Sequence, residues 1–148
     1  MPHSRVFFIV CVLSVLAAAA CERQSELSAN IAQHFASTAR TTVNLAVAVP
    51  QPWERVCILG PYSDNQAAKR VLGFHWDVER NSSIQTNEGA ALLLFVQGNT
   101  VVQHVEHRRT SGDFTNLSGR CFVRAAAVFT HVPNPAKGWP GLFPKNEA

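Results

Sequence analysis

The sequence predicts an α+β domain, a small antiparallel sheet of about five strands with one or two helices packed on one face. Three observations predict it. Short stretches that alternate in polarity or run continuously apolar recur between residues 42 and 132, separated by Gly, Pro and Asn. Two other stretches carry apolar residues at helical spacing, Leu27-Ile31-Phe35 and Ala67-Ala68-Val71-Leu72. Gln97-Gly98-Asn99-Thr100 is a hairpin turn signal between apolar runs, so the strands flanking it are antiparallel. The 148 residues leave room for one domain.

The first segment is set apart from that domain. MPHSR gives a short basic start, and from Val6 to Ala20 there is no charge. Fifteen residues fall short of the roughly 20 that a spanning helix needs. With the basic flank and the small-residue end they match a cleaved signal peptide over residues 1–20. A buried helix of a soluble domain would carry a polar face, which this segment lacks.

The junction Leu16-Ala17-Ala18-Ala19-Ala20-Cys21 resembles the lipobox of bacterial lipoproteins. In that family the cysteine sulfur takes a diacylglyceryl group and the leader is cut just before it. Ala18 stands where the family usually has Leu, and the same small residues suit an ordinary signal-peptidase site. The resemblance implies a lipid on Cys21 and a membrane anchor in the cell envelope. Glu22 replaces the Asp that retains such proteins at the inner membrane. In a cell with two membranes, the resemblance thus implies the outer membrane, with the domain facing the periplasm.

Cysteine count bears on the same point. Export delivers the chain to an oxidising compartment. Cleavage removes Cys11 and leaves Cys21, Cys57 and Cys121, an odd number. With lipid on Cys21, the remaining Cys57 and Cys121 form a pair, expected as a disulfide joining the two ends of the domain.

The mature chain divides into a lipidated and helical tether at 21–40, the domain at 41–132 and a proline-rich tail at 133–148. Leu27, Ile31 and Phe35, four apart, predict an amphipathic helix over 22–39 that packs on the domain. Val43, Leu45 and Val47 predict a strand over 42–48, ended by Pro50 and Pro52. Residues 54–59 predict a second strand, closed by Gly60-Pro61. Ser63 as cap, Gln66 three residues later and Gly73 as stop delimit a helix between them. A loop with a short strand near Ile84 follows. The continuous run Ala90–Val96 predicts a central strand, and 101–108 its hairpin partner. Residues 110–119 read as a loop and 120–132 as the last strand. Four prolines in the tail predict little regular structure there.

Charge excludes one class of partner. After Ala20 the chain holds twelve Lys and Arg against ten acids, and no basic cluster of the kind nucleic acid requires. A Gly-x-Ser-x-Gly elbow, Ser-x-x-Lys, His-Glu-x-x-His and a phosphate loop are all missing from the sequence. The expectation is therefore a non-enzymatic protein without a cofactor. Two constellations remain. His104, Glu106 and Arg108 share one face of their strand, with His107, Val105 and Val101 on the other. His104 and Glu106 could begin a metal site, with His75, Asp77 or Asp113 supplying further ligands. The plain alternative is a solvent-facing stripe.

Trp53, Tyr62, Trp76 and Trp139 fall in predicted loops, and such aromatics anchor protein interfaces. The plain alternative is that they cap the edges of a small core. Tail residues Trp139, Leu142 and Phe143 must dock on the domain or on a partner, or else remain exposed at a cost in solubility. The leading expectation is an envelope lipoprotein that binds another protein as an accessory, inhibitor or immunity factor. The alternative is a metal-binding envelope protein using His104 and Glu106.

Overall fold

The computed structural model describes the backbone of residues 4–148 and the side chains of residues 17–148. The expected leader, residues 1–20, therefore falls largely outside the described side chains, Cys11 included. Helix α1 (Ser4–Ser37) buries Leu27, Ile31 and Phe35 along one stripe, as their spacing predicts. It ends where Ala39 and Arg40 take positive φ and the Arg40 amide returns to the Phe35 carbonyl. Among the described residues no helix is long and apolar enough to cross a membrane.

Strand β1 (Thr42–Asn44) stops four residues before the expected end. The Asn44 side chain accepts from the Ala46 amide and starts the short helix α2 (Leu45–Ala48). A side chain that binds its own backbone two residues on competes with the extended ladder, which the alternating pattern could not reveal. Strand β2 (Arg55–Leu59) follows as expected.

Helix α3 (Asn65–Leu72) is capped by Asp64, which accepts from the Ala67 amide, and not by Ser63, whose hydroxyl bonds the Gly60 carbonyl. Gly73 terminates it at a φ of 83°, as predicted. Ile84 is buried in a turn after the single-turn helix α4 (Val78–Asn81), where no strand forms.

Strands β3 (Ala90–Gln97) and β4 (Thr100–Arg108) form the expected hairpin. Phe95 pairs with Gln103 and Val96 with Val101, which leaves Val102 as the extra residue of a bulge. The bulge shifts the alternation, so Val101 packs with Leu94 and Val96 while Val105 and His107 face the opposite side of the sheet. The sequence expectation had placed all three together.

The expected last strand is two strands. β5 (Arg120–Val123) and β6 (Val128–Val132) are divided by a 3-10 turn at Arg124–Ala126. Arg124 holds the break: its guanidinium bonds the carbonyls of Ala46, Pro50 and Gln51 and lies 4.6 Å from the Trp53 ring centre. The tail also departs from expectation. Gly141–Pro144 forms β7, which pairs with β6.

The fold class is α+β as predicted, with seven strands among the described residues in two antiparallel sheets, β4-β3-β2-β5 and β1-β6-β7. The main core lies between them, where Val56, Ile58, Leu93, Phe95 and Val105 meet α1, Val43, Phe129 and Leu142. A second core on the far face of the larger sheet joins Cys57, Leu59, Leu92, Leu94 and Val96 to Ala68 and Leu72 of α3. Helices thus cover both faces, not one. Burial on both sides is why β3 reads as an unbroken apolar run.

Cys57 and Cys121 form the expected disulfide. They are directly opposed on β2 and β5, 64 residues apart in sequence and 4.0 Å apart between Cα atoms. The bridge fastens neighbouring strands of one sheet.

Candidate functional site

Two histidines of β4 meet polar residues of α1. The Gln24 side-chain nitrogen donates to Nε2 of His104 at 2.7 Å, and Ser28 Oγ lies 2.9 Å from Nδ1 of His107. Gln24 and Ser28 are four apart, so helical geometry sets them one above the other beside the Leu27–Ile31 stripe. An amide nitrogen can only donate, which places the His104 proton on Nδ1, toward its backbone bond with Asn81.

Burial lowers the His104 pKa below the ordinary value; the Asn81 bond and the charge of Glu106 act the other way. The Trp76 ring stands edge-on to it at 5.0 Å. His107 is fully buried against Phe114, and burial brings its pKa down to about 4, with the Ser111 backbone opposing.

Glu106 closes a loop. Its carboxylate accepts from the amide and hydroxyl of Ser83 and from the Asn87 side chain, tying the 82–87 turn to β4. Asp77 caps α4, and Asp113 pairs with Arg109 at 2.9 Å while accepting from the Thr115 amide. Each of these carboxylates is engaged by hydrogen-bond partners other than His104. Among the described residues no three His, Cys, Asp or Glu side chains come together in a way that could hold a metal ion.

The four aromatics part company. Trp53 is 4% exposed, edge-on to Phe95 in the main core, with its indole nitrogen donating to the Val49 carbonyl. It is a core residue, and the expectation of a surface anchor is corrected there. Trp76 is half-buried against the second core. Tyr62 and Trp139 are 60% and 48% exposed.

Tyr62 takes a positive φ of 65° just beyond β2, where its amide bonds the Ile84 carbonyl. Trp139 is fixed by its indole nitrogen donating to Thr115 Oγ1 and by the Asn116 side chain on its carbonyl. Ser118 of the same 109–119 segment accepts from the Gly60 amide. Both exposed rings thus stand over loops at the end of the sheet where β2 and β4 finish. No protein family, curated protein or solved structure matches this chain.

Cys21 is the one free cysteine among the described residues, and it is exposed. It borders an open groove of about 480 Å³ between α1 and β4, alongside Ser25, Ser28, Glu106 and Arg108. Sequence reasoning singled out Cys21, His104 and Trp139, but it missed Gln24, which holds His104, Thr115, which holds Trp139, and Ser28, which meets the neighbouring His107. For Gln24 and Ser28 a signal existed: two polar residues at helical spacing beside a buried stripe.

Proposed function

We propose that the protein is an envelope lipoprotein, anchored through lipid on Cys21, whose domain binds another protein. The observation that carries the reading is the division of the thiols: Cys57 and Cys121 are bridged and Cys21 alone is exposed and free among the described residues. Stable anchoring needs two or three acyl chains, each buried CH₂ adding about 0.8 kcal/mol. Binding is assigned to Tyr62 and Trp139, much of whose surface meets solvent; the Trp139 ring is held by its bond to Thr115, and the Tyr62 backbone by the Ile84 carbonyl. A ring already fixed in place loses little freedom when a partner covers it.

Metabolic labelling with a fatty acid tests the anchor: wild type should be labelled and Cys21→Ser should not. Equal label in both ends the reading. Crosslinking in intact cells tests the partner. A recovered envelope protein should be lost in a Tyr62→Ala/Trp139→Ala double variant, and recovery unaffected by that variant removes the binding role from these rings.

A further inference from the structure

Little chain separates Cys21 from the packed domain. Gln24, three residues on, is hydrogen-bonded to His104, and Leu27, six residues on, is buried in the main core. On a helix these steps amount to about 4.5 Å and about 9 Å. The headgroup layer on one side of a bilayer is roughly 5–8 Å deep, half the difference between a total of about 40–45 Å and a hydrocarbon core of about 30 Å. A domain attached this closely has no free tether.

The direction of attachment is also set. α1 runs alongside β4 in the same sense: Gln24 meets His104, Ser28 meets His107, and Arg40 reaches the Thr110 carbonyl. Residues preceding Gln24 therefore lie level with the start of β4. Ala20, Arg23, Gln24 and Leu27 line one hollow with Val102 and Gln103. Val102, pushed out by the bulge, is 42% exposed there. Next to it is the hairpin turn, where Gly98 is bonded by Glu54 and Arg55. Tyr62 and Trp139 sit beyond the opposite ends of β2 and β4.

We infer that the lipidated protein sits directly on the bilayer surface, the start of β4 with Val102 facing the lipid and the Tyr62 and Trp139 loops facing away. This rests on the lipoprotein reading and deepens it by naming the lipid-facing surface. Arg23 and Arg55 at this end are offset by Glu22, Glu26 and Glu54, so the seating draws on the anchor and on Val102 and needs no anionic lipid.

The test uses the lipidated mature protein in phosphatidylcholine vesicles. Lipid occupies Cys21 and the bridge occupies Cys57 and Cys121, so Val102→Cys or Lys137→Cys supplies the single thiol for an environment-sensitive fluorophore. The label at 102 should be quenched by spin-labelled lipid and the label at 137 should not. Equal quenching at the two positions, or none at 102, overturns the seating. Insertion of ten Gly and Ser residues after Glu22 should keep vesicle flotation but abolish quenching at 102; persistent quenching overturns the role of the short spacer. Fatty-acid content and flotation of the same samples separate the two claims. A protein that carries no lipid overturns the anchor and the seating together, whereas a floating protein unquenched at 102 overturns the seating alone.

Discussion

Ser28 on the first helix and the buried His107 on β4 face each other at 2.9 Å. β4 is the edge of the four-stranded sheet, and α1 lies along it. The contact therefore helps close an edge that would otherwise be open to pairing with another chain. It also makes the packing of α1 sensitive to acid, because the histidine is buried uncharged.

Unfolded His107 takes its proton near 6.5, whereas the folded one takes it only at about 4. Between those values the unfolded state binds more protons. Stability should therefore fall as pH drops from about 6.5 to about 4 and level off below. The whole difference is on the order of 3 kcal/mol. Urea unfolding at several pH values across this window should show the decline, and His107→Gln should make it shallower, leaving the part that His104 contributes. An equal slope in the variant would place the acid sensitivity elsewhere.

The tail belongs to the core. Leu142 is fully buried beside α1 and β6 residues, so Leu142→Ala should cost about 2–5 kcal/mol. Thermal melts of that variant, and of Trp139→Ala for comparison, check this. Trp139 is half exposed, and its loss should lower stability less than that of Leu142. A tail that only rests on the surface would reverse the order or leave both unchanged.

The disulfide closes a span of 64 residues, and in the chain-entropy model it stabilises the fold by about 4 kcal/mol. Denaturation midpoints with and without reductant should differ accordingly. A Cys57→Ala/Cys121→Ala variant should match the reduced protein.

Leu94 is fully buried at the centre of β3, in the core beneath α3. Leu94→Asp should unfold the domain, since it would place a charge inside a fully buried apolar cluster. Loss of cooperative unfolding by circular dichroism would be the signature. A variant that melts within a few degrees of wild type contradicts this placement of Leu94.

Much of this architecture was legible in the chain. The α1 stripe, the β3–β4 hairpin, the Gly73 stop and the Cys57–Cys121 pair rest on local periodicity or on counting, which sequence carries directly. What escaped depends on distant partners. The division of residues 120–132 hinges on Arg124 reaching carbonyls more than 70 residues away, beside α2. The pairing of Gly141–Pro144 needs β6 as template, and prolines around it hide the strand. The bulge at Val102 changes which face Val101 occupies, and no alternation rule signals it. Among the site residues, Trp53 illustrates the same limit: neighbouring prolines marked a loop, but Phe95 and Arg124 make it core.

Phe35 and Leu142, from the first and last structured segments, share one core, and Gly112, at a φ of 138°, lies beside both. The order of synthesis gives this arrangement a meaning. A growing chain cannot complete that core until residues near its end have emerged, since contacts of long sequence separation form late and slowly. Under the export proposed above, the chain would be threaded unfolded across a membrane, and the delay would keep it open for passage. Folding would then follow arrival, on the side where its thiols can be oxidised.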